Sequence, residues 1–403
     1  MYSVKVTQAA QERLEAATGV KLTRYDRPKR EDFYSHLDSL FDEDTEQPAR
    51  PLTKEEKDFI RNERLLAMLD FEYWTFCCKI IHDKGGITRL KLWGAQEVAL
   101  AKIAVIEESM MGAHARGEPV DGILICQHKS RQLGATAFAR ALIFHRITTA
   151  ERTRAITASL DDEKIDAIVL RDKRILENLP WWMRPSVGYD TKGGHLFFDK
   201  LDSSLIYQTY SQVSGLGQGE AFEVGHMTEC GNILSKELEH NFFPTIPQST
   251  ASLHILESTA QGRGNWWHEF VTNVLDGDMR RWNVIFTPWY SVDEKYKAQP
   301  PPDWQPAEIT LLHAQRVWDT SFEYIGKKVM LSKQQLYWWE TTRAEYAKSG
   351  SLANFLTNFC STISESFQHR EDSAFSVEVL DHLRNNSRSA APYEVMRVPN
   401  EQA

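Results

Sequence analysis

The run ILICQHKSRQLGATAFARALIF, residues 123–144, constrains the fold of this chain more than any other segment. An apolar strand from Ile123 to Cys126 passes into a polar loop, then Gly134 and Thr136, then a helix of small and apolar residues. That order aims free backbone N–H groups and a helix dipole at one spot, which suits a phosphate chain. Against the pattern G-x-x-x-x-G-K-[ST], Lys129 takes the first glycine position, Gly134 the second and Thr136 the hydroxyl that binds Mg²⁺. Ala135 stands where a lysine usually neutralises the outer phosphates. Lys129 and Arg131 are the replacements available within the loop. Arg131, mid-loop with a multi-donor guanidinium, is expected to matter more. Taken alone, the segment serves equally well as an ordinary polar connection.

The surrounding pattern favours an α/β sheet. Short β-rich runs recur at 122–127, 154–159, 204–210, 222–227, 252–258 and 282–286, separated by helical stretches or loops. That is the grammar of a mostly parallel sheet. Upstream, apolar residues at helical spacing from Thr53 to His82 predict one helix, opened by a Thr53–Glu56 capping box. After Trp289 a proline-rich break, KAQPPPDWQP, leads into further helices, and residues 384–403 read as a loose tail.

Composition excludes some classes of function. With 42% hydrophobic and 26% charged residues, disorder throughout is ruled out. A net charge of −9 argues against a protein that coats nucleic acid, yet leaves room for a local basic track. The 5 cysteines form no CxxC, so reduced thiols in an intracellular setting are expected, with Cys77 and Cys78 buried in a helix-like run. Leu65–Ile81 is interrupted by Asp70, Glu72 and Lys79, too polar for a bilayer, and the amino terminus lacks a signal-type apolar core. No membrane association is expected.

KSRQLGAT (129–136) resembles the phosphate loop of large terminase subunits, the DNA-packaging ATPases of tailed phages. Their loop often reads K-x-R-Q-x-G-x-[ST], with the basic residue displaced to its start. The resemblance runs over roughly residues 60 to 383. It implies ATP and Mg²⁺ as cofactors, with Lys129, Ser130, Arg131, Gln132, Leu133, Gly134, Ala135 and Thr136 around the phosphates. LKLWGAQ (90–96) resembles the family's adenine-binding segment, with Trp93 against the base and Gln96 on its edge.

A phosphate-loop ATPase also needs a carboxylate at the end of a neighbouring strand to activate water. AFEVGHMTECGN (221–232) supplies Glu229, with Thr228 in place of the usual aspartate; Thr228 would hold a metal-bound water through its hydroxyl. By itself Glu229 reads equally as the start of a surface turn. SGLGQGE (214–220) precedes a strand and so is no dinucleotide motif. SLHILESTAQGRGNWWHEF (252–270) resembles the family's coupling motif, with Ser258 and Thr259 at the strand end, Gly262 and Gly264 in a flexible loop, and Trp266 and Trp267 as packing residues. IFTPWY (285–290), LSKQQLYWWETTRAEY (331–346) and SESFQHREDSAFSVEVLDHL (364–383) resemble its closing strand, helical lid and final stretch.

The expected fold is α/β: a P-loop (ASCE/RecA-like), mostly parallel sheet flanked by helices, with an N-terminal helical arm and a C-terminal helical lid. The expected divisions are 1–52 for the arm and an acidic linker, 53–290 for the ATPase core, 291–383 for the lid and 384–403 for the tail. The chain stops where the family's nuclease domain would begin, and Glu371 and Asp381 are isolated, so no nuclease activity is expected from it alone. The resemblance implies ATP hydrolysis driving double-stranded DNA into a procapsid. It implies docking on the portal protein as a homo-oligomeric ring, with the small terminase subunit, in the cytoplasm of an infected bacterium. A trans-acting arginine would come from Arg140, Arg171, Arg174 or Arg263. A helicase-like nucleic-acid translocase and a non-catalytic P-loop scaffold remain as alternatives, the latter motivated by Ala135 and Thr228.

Overall fold

The computed structural model describes residues 8–367 apart from 43, 46, 82–84, 192–193, 211–219, 234–237 and 293–294. Most of SGLGQGE, the final stretch beyond Phe367 and the tail therefore lie outside the described residues. One eight-stranded sheet organises the rest. Its strands are β1 (Ile123–Lys129), β2 (Arg154–Ser159), β3 (Tyr189–Thr191), β4 (His195–Phe198), β5 (Ser203–Thr209), β6 (Val224–Thr228), β7 (Leu253–Ser258) and β8 (Asn283–Thr287). They lie side by side in the order β8-β1-β7-β6-β2-β5-β4-β3. The first six run parallel, whereas at one edge β4 pairs antiparallel with β5, and β3 antiparallel with β4.

Every residue of β1, β6 and β7 is buried. Strands covered by helices on both faces need apolar side chains at consecutive positions, which is why these runs stood out in the sequence. The six expected strands are all present. The β3–β4 hairpin was not expected, because strands of 3 and 4 residues carry too little pattern. Helix Ala135–Thr149 follows β1 and is buried almost all round. Helices Asp162–Glu177 and Trp266–Leu275 follow β2 and β7. Trp266 and Trp267 are both buried packing residues, as expected.

The expected helix from Thr53 to His82 is shorter. Its capping box is present, but it ends at Leu69. Asp70 adopts an extended backbone, and its carboxylate caps a second, short helix, Phe71–Thr75. Cys77 and Cys78 lie beyond that helix, buried and free like the other three cysteines. Near the amino terminus, helix Arg27–Ser39 sends Tyr34 and Leu37 into the same apolar core as β1 and helix Ala135–Thr149.

After β8 the described residues contain no strand. Helices Glu308–Ile325, Lys333–Lys348, Leu352–Asn358 and Ile363–Ser366 follow. Val317, Trp339 and Phe355 from this region cluster with Trp289 and with Leu133 of the loop after β1. The helical region therefore packs against that loop. No described helix is long and apolar enough to cross a membrane.

Candidate active site

The loop after β1 is held by its backbone. Ser130 N–H donates to the Thr287 carbonyl at the end of β8, and Arg131 N–H to the Asn358 carbonyl. Tyr296 donates to the Arg131 carbonyl and Lys295 to that of Gln132. Gln132 and Gly134 adopt positive φ angles of 55° and 71°. Residues turned this way point successive N–H groups inward, forming a concavity for an anion. Gly134 opens helix Ala135–Thr149 and offers no side-chain cap, so the first N–H groups of the helix stay available. A side chain there would also meet Gln96, whose Nε2 lies 2.6 Å from where a Cβ would sit.

The adjacent strand order is equally informative. One strand, β7, separates the loop-bearing β1 from β6, the strand that leads to Glu229. All three run parallel, so their carboxyl ends open at one edge, beside the loop. The fold is α/β, with a P-loop-like, mostly parallel sheet flanked by helices.

At the centre of this edge sits a residue that the sequence reading passed over. Glu257, the penultimate residue of β7, has no solvent exposure. Its Oε1 accepts from Thr136 Oγ1 at 2.6 Å, Thr228 Oγ1 at 2.9 Å and His226 Nε2 at 3.2 Å. Its Oε2 faces Lys129 Nζ at 3.2 Å but has no aligned hydrogen bond. Burial pushes the Glu257 carboxyl up, yet the Lys129 ammonium and the His226 and Thr136 donors outweigh it and hold the group well below the usual carboxylate range. A charge near the end of an otherwise apolar strand was the available signal, since an ionised group is almost never buried without partners.

Lys129 and Arg131 differ in placement. Lys129 is 7% exposed and lies inside the site, while Arg131 is exposed at the surface. The loop cation that meets the buried carboxylate is thus Lys129, whereas the expectation put Arg131 first.

Glu229 directly follows β6 in a left-handed conformation, φ 59° and ψ 35°, and is partly exposed. Such a backbone is uncommon for a non-glycine residue. Two residues on, Gly231 N–H donates to Ser258 Oγ at 2.8 Å. The turn carrying Glu229 is therefore tied to the end of β7. Thr259 is buried beside it, and Gly262 takes a φ of 84° in the loop beyond.

Gln96 is buried and uses both ends of its amide. Its Oε1 accepts from Trp93 N–H, capping its own helix, and its Nε2 donates to the Gly134 carbonyl at 2.9 Å. It braces the loop after β1. Trp93 is partly exposed, with Lys295 Nζ 5.3 Å from its ring centre.

Arg140 is removed from the candidate trans-acting arginines. It is 1% exposed and binds both oxygens of Asp172, with further contacts to Thr157 and His226. Tyr207 completes the Asp172 shell at 2.9 Å. A buried guanidinium so engaged cannot reach a neighbouring subunit. Arg171 and Arg174 are exposed, and Arg263 donates to the Phe367 carbonyl.

The oxygens present suit Mg²⁺, a hard ion that takes few protein ligands and completes its shell with water and phosphate. Thr136 Oγ1 and the two Glu257 oxygens lie together, one of them without an aligned hydrogen bond. Among the described residues no group of three His, Cys, Asp or Glu side chains forms a metal site of its own. Nucleotide oxygens would have to supply the remainder.

No protein-family profile matches the chain. No curated protein matches it in sequence. Solved structures similar to it include the large terminase of bacteriophage HK97, at 11% identity and a TM-score of 0.47, covering 72% of this chain and 54% of that one. The large terminase ATPase domain of Thermus phage P74-26 is 13% identical, with a TM-score of 0.33, covering 56% and 93%. The Hef helicase domain of Pyrococcus furiosus is also 13% identical, with a TM-score of 0.31, covering 61% and 55%. The chain spans about half the length of the HK97 terminase.

Proposed function

We propose that this chain is the ATPase part of a viral DNA-packaging motor, hydrolysing ATP to move double-stranded DNA into a procapsid. The observation that carries the reading is the Lys129–Glu257–Thr136 cluster at the carboxyl edge of a parallel sheet, with Glu229 beside it. The inward N–H groups of Gly134, Ala135 and Thr136, with the Lys129 ammonium, would hold the phosphates. Mg²⁺, when bound, neutralises charge on the phosphate oxygens, and Thr136 and Glu257 would hold it. Glu229 would orient and deprotonate the attacking water. The tie between Gly231 and Ser258 gives the water-activating turn a direct link to the coupling loop. Packaging, as distinct from other DNA translocation, rests on the likeness of KSRQLGAT and the later motifs to large terminases. Under the same reading the portal protein and small terminase subunit are partners, and a ring of copies would supply an arginine in trans.

The test is phosphate release from ATP with Mg²⁺, with and without double-stranded DNA. A scaffold would bind nucleotide and release no phosphate. Within this assay, Lys129→Ala is expected to lower nucleotide affinity or turnover by about ten- to a hundredfold, as a charge-assisted bond to phosphate is worth roughly 1.5–3 kcal/mol. Arg131→Ala should cost less, because its side chain stands outside the site. A larger loss from Arg131→Ala would restore the loop arginine as the phosphate cation.

A further inference from the structure

We infer that Glu257 is the carboxylate that anchors the nucleotide's Mg²⁺, displaced by one strand from the end of β6 to the end of β7. The inference rests on the ATPase reading above. In P-loop enzymes the metal is held by the loop Ser or Thr and by an aspartate on the strand that here ends in Thr228. Thr228 carries no charge. Thr228 and Glu257 are direct partners in the parallel ladder between β6 and β7. Parallel partners present side chains on the same face about 4.8 Å apart. The longer side chain of glutamate leans toward β6, bringing Oε1 within 2.9 Å of Thr228 Oγ1.

The contacts agree with the exchange. Thr136 Oγ1 lies 2.6 Å from Glu257 Oε1, so the loop hydroxyl and a carboxylate are already joined, while Thr228 donates to the same oxygen. His226 fixes the orientation of the carboxylate. Its Nδ1 faces Arg140, which can only donate, so Nε2 carries the proton and points it at Oε1. With three donors on Oε1, the lone pairs of Oε2 are left facing Lys129 alone. Burying a carboxylate in a central strand is costly, and an apolar residue would serve the sheet better. The arrangement makes sense as a cation site. Lys129 neutralises the carboxylate across 3.2 Å. Glu257 and Thr136 would hold Mg²⁺, and Lys129 would hold the phosphates. Glu257 is not the water-activating base, since it is fully buried and its Oε1 is saturated, whereas Glu229 stands partly open.

The experiment uses the full chain, a fluorescent ATP analogue and a Mg²⁺ titration. Electron paramagnetic resonance of Mn²⁺ bound with the analogue gives a second readout that needs no turnover. In Glu257→Gln, binding in EDTA should stay within a few-fold of wild type, while the Mg²⁺ midpoint rises by about ten- to a hundredfold. The bound Mn²⁺ signal should weaken in parallel. Glu229→Gln should leave the midpoint in place. The exchange variant Thr228→Asp with Glu257→Thr returns the carboxylate to β6, and should recover most of the Mg²⁺ dependence. It also decides the matter if Glu257→Gln fails to fold. An unchanged midpoint in Glu257→Gln, or a folded exchange variant without Mg²⁺ dependence, overturns the assignment. A wild-type chain that binds no nucleotide with or without Mg²⁺ overturns the ATPase reading itself, which is a separate result.

Discussion

Glu229→Gln is expected to stop ATP hydrolysis while leaving nucleotide affinity within a few-fold of wild type. A general base acts in the chemical step and adds little to ground-state binding. Removing it usually costs about 10²- to 10⁴-fold in rate. The geometry suits that role: the side chain follows β6, is partly exposed and sits on a turn anchored to Ser258. Glutamine keeps the shape, so the left-handed backbone at this position is not further strained. The measurement pairs single-turnover phosphate release with equilibrium binding of an ATP analogue. A rate within about tenfold of wild type would move the base elsewhere. The phenotype should also contrast with Glu257→Gln, which disturbs Mg²⁺ binding first. Two carboxylates on neighbouring strand ends would then have separable duties.

The sequence showed the frame of this site more clearly than its centre. β1, β2, β6, β7 and β8 were legible because strands covered on both faces carry short runs of mostly apolar and β-branched residues. The loop was legible because its phosphate pattern is contiguous. Glu257 was not, because its meaning depends on register. Only the pairing of Thr228 with Glu257 puts the charge beside Thr136 and Lys129, and no spacing along the chain reveals which residues of β6 and β7 lie opposite. Arg131 ranks first on its mid-loop position and its several donors, whereas β1 continues through Lys129 and carries it inward. Arg140 was misjudged for a related reason. The helix ATAFARALIFHRITT is buried almost all round, so an arginine within it requires a buried partner, and that partner, Asp172, lies on another helix. Asp70 shows a local limit: its side chain caps the following turn, which ends a helix that periodicity alone would continue.

Between pH 6.5 and about 5 the fold is expected to lose stability steeply, by roughly 1.4 kcal/mol per pH unit for each of four buried histidines. His128, His145, His254 and His313 are held at about 3, each chiefly by burial, against an ordinary value of 6.5. A depressed histidine is neutral in the folded chain but takes up a proton in the unfolded chain below pH 6.5. Its stabilising contribution is therefore complete above that pH and is lost as pH falls toward 3. At pH 5 the four together would cost about 8 kcal/mol, a large share of the roughly 5–15 kcal/mol that holds a domain. Asp172 and Glu365, whose carboxyls burial pushes up, work in the opposite direction and lessen the slope. Glu257, depressed from 4.5, adds its own loss only at lower pH. Denaturant unfolding at pH 7.5, 6.5, 5.5 and 5.0 measures the proton uptake. His313 gives the cleanest control. Its ring stacks on Trp339 at 3.9 Å with neither nitrogen hydrogen-bonded, so His313→Phe keeps the stack and removes the titration. That variant should lower the uptake by about one proton, and an uptake equal to wild type would place the acid sensitivity in other groups.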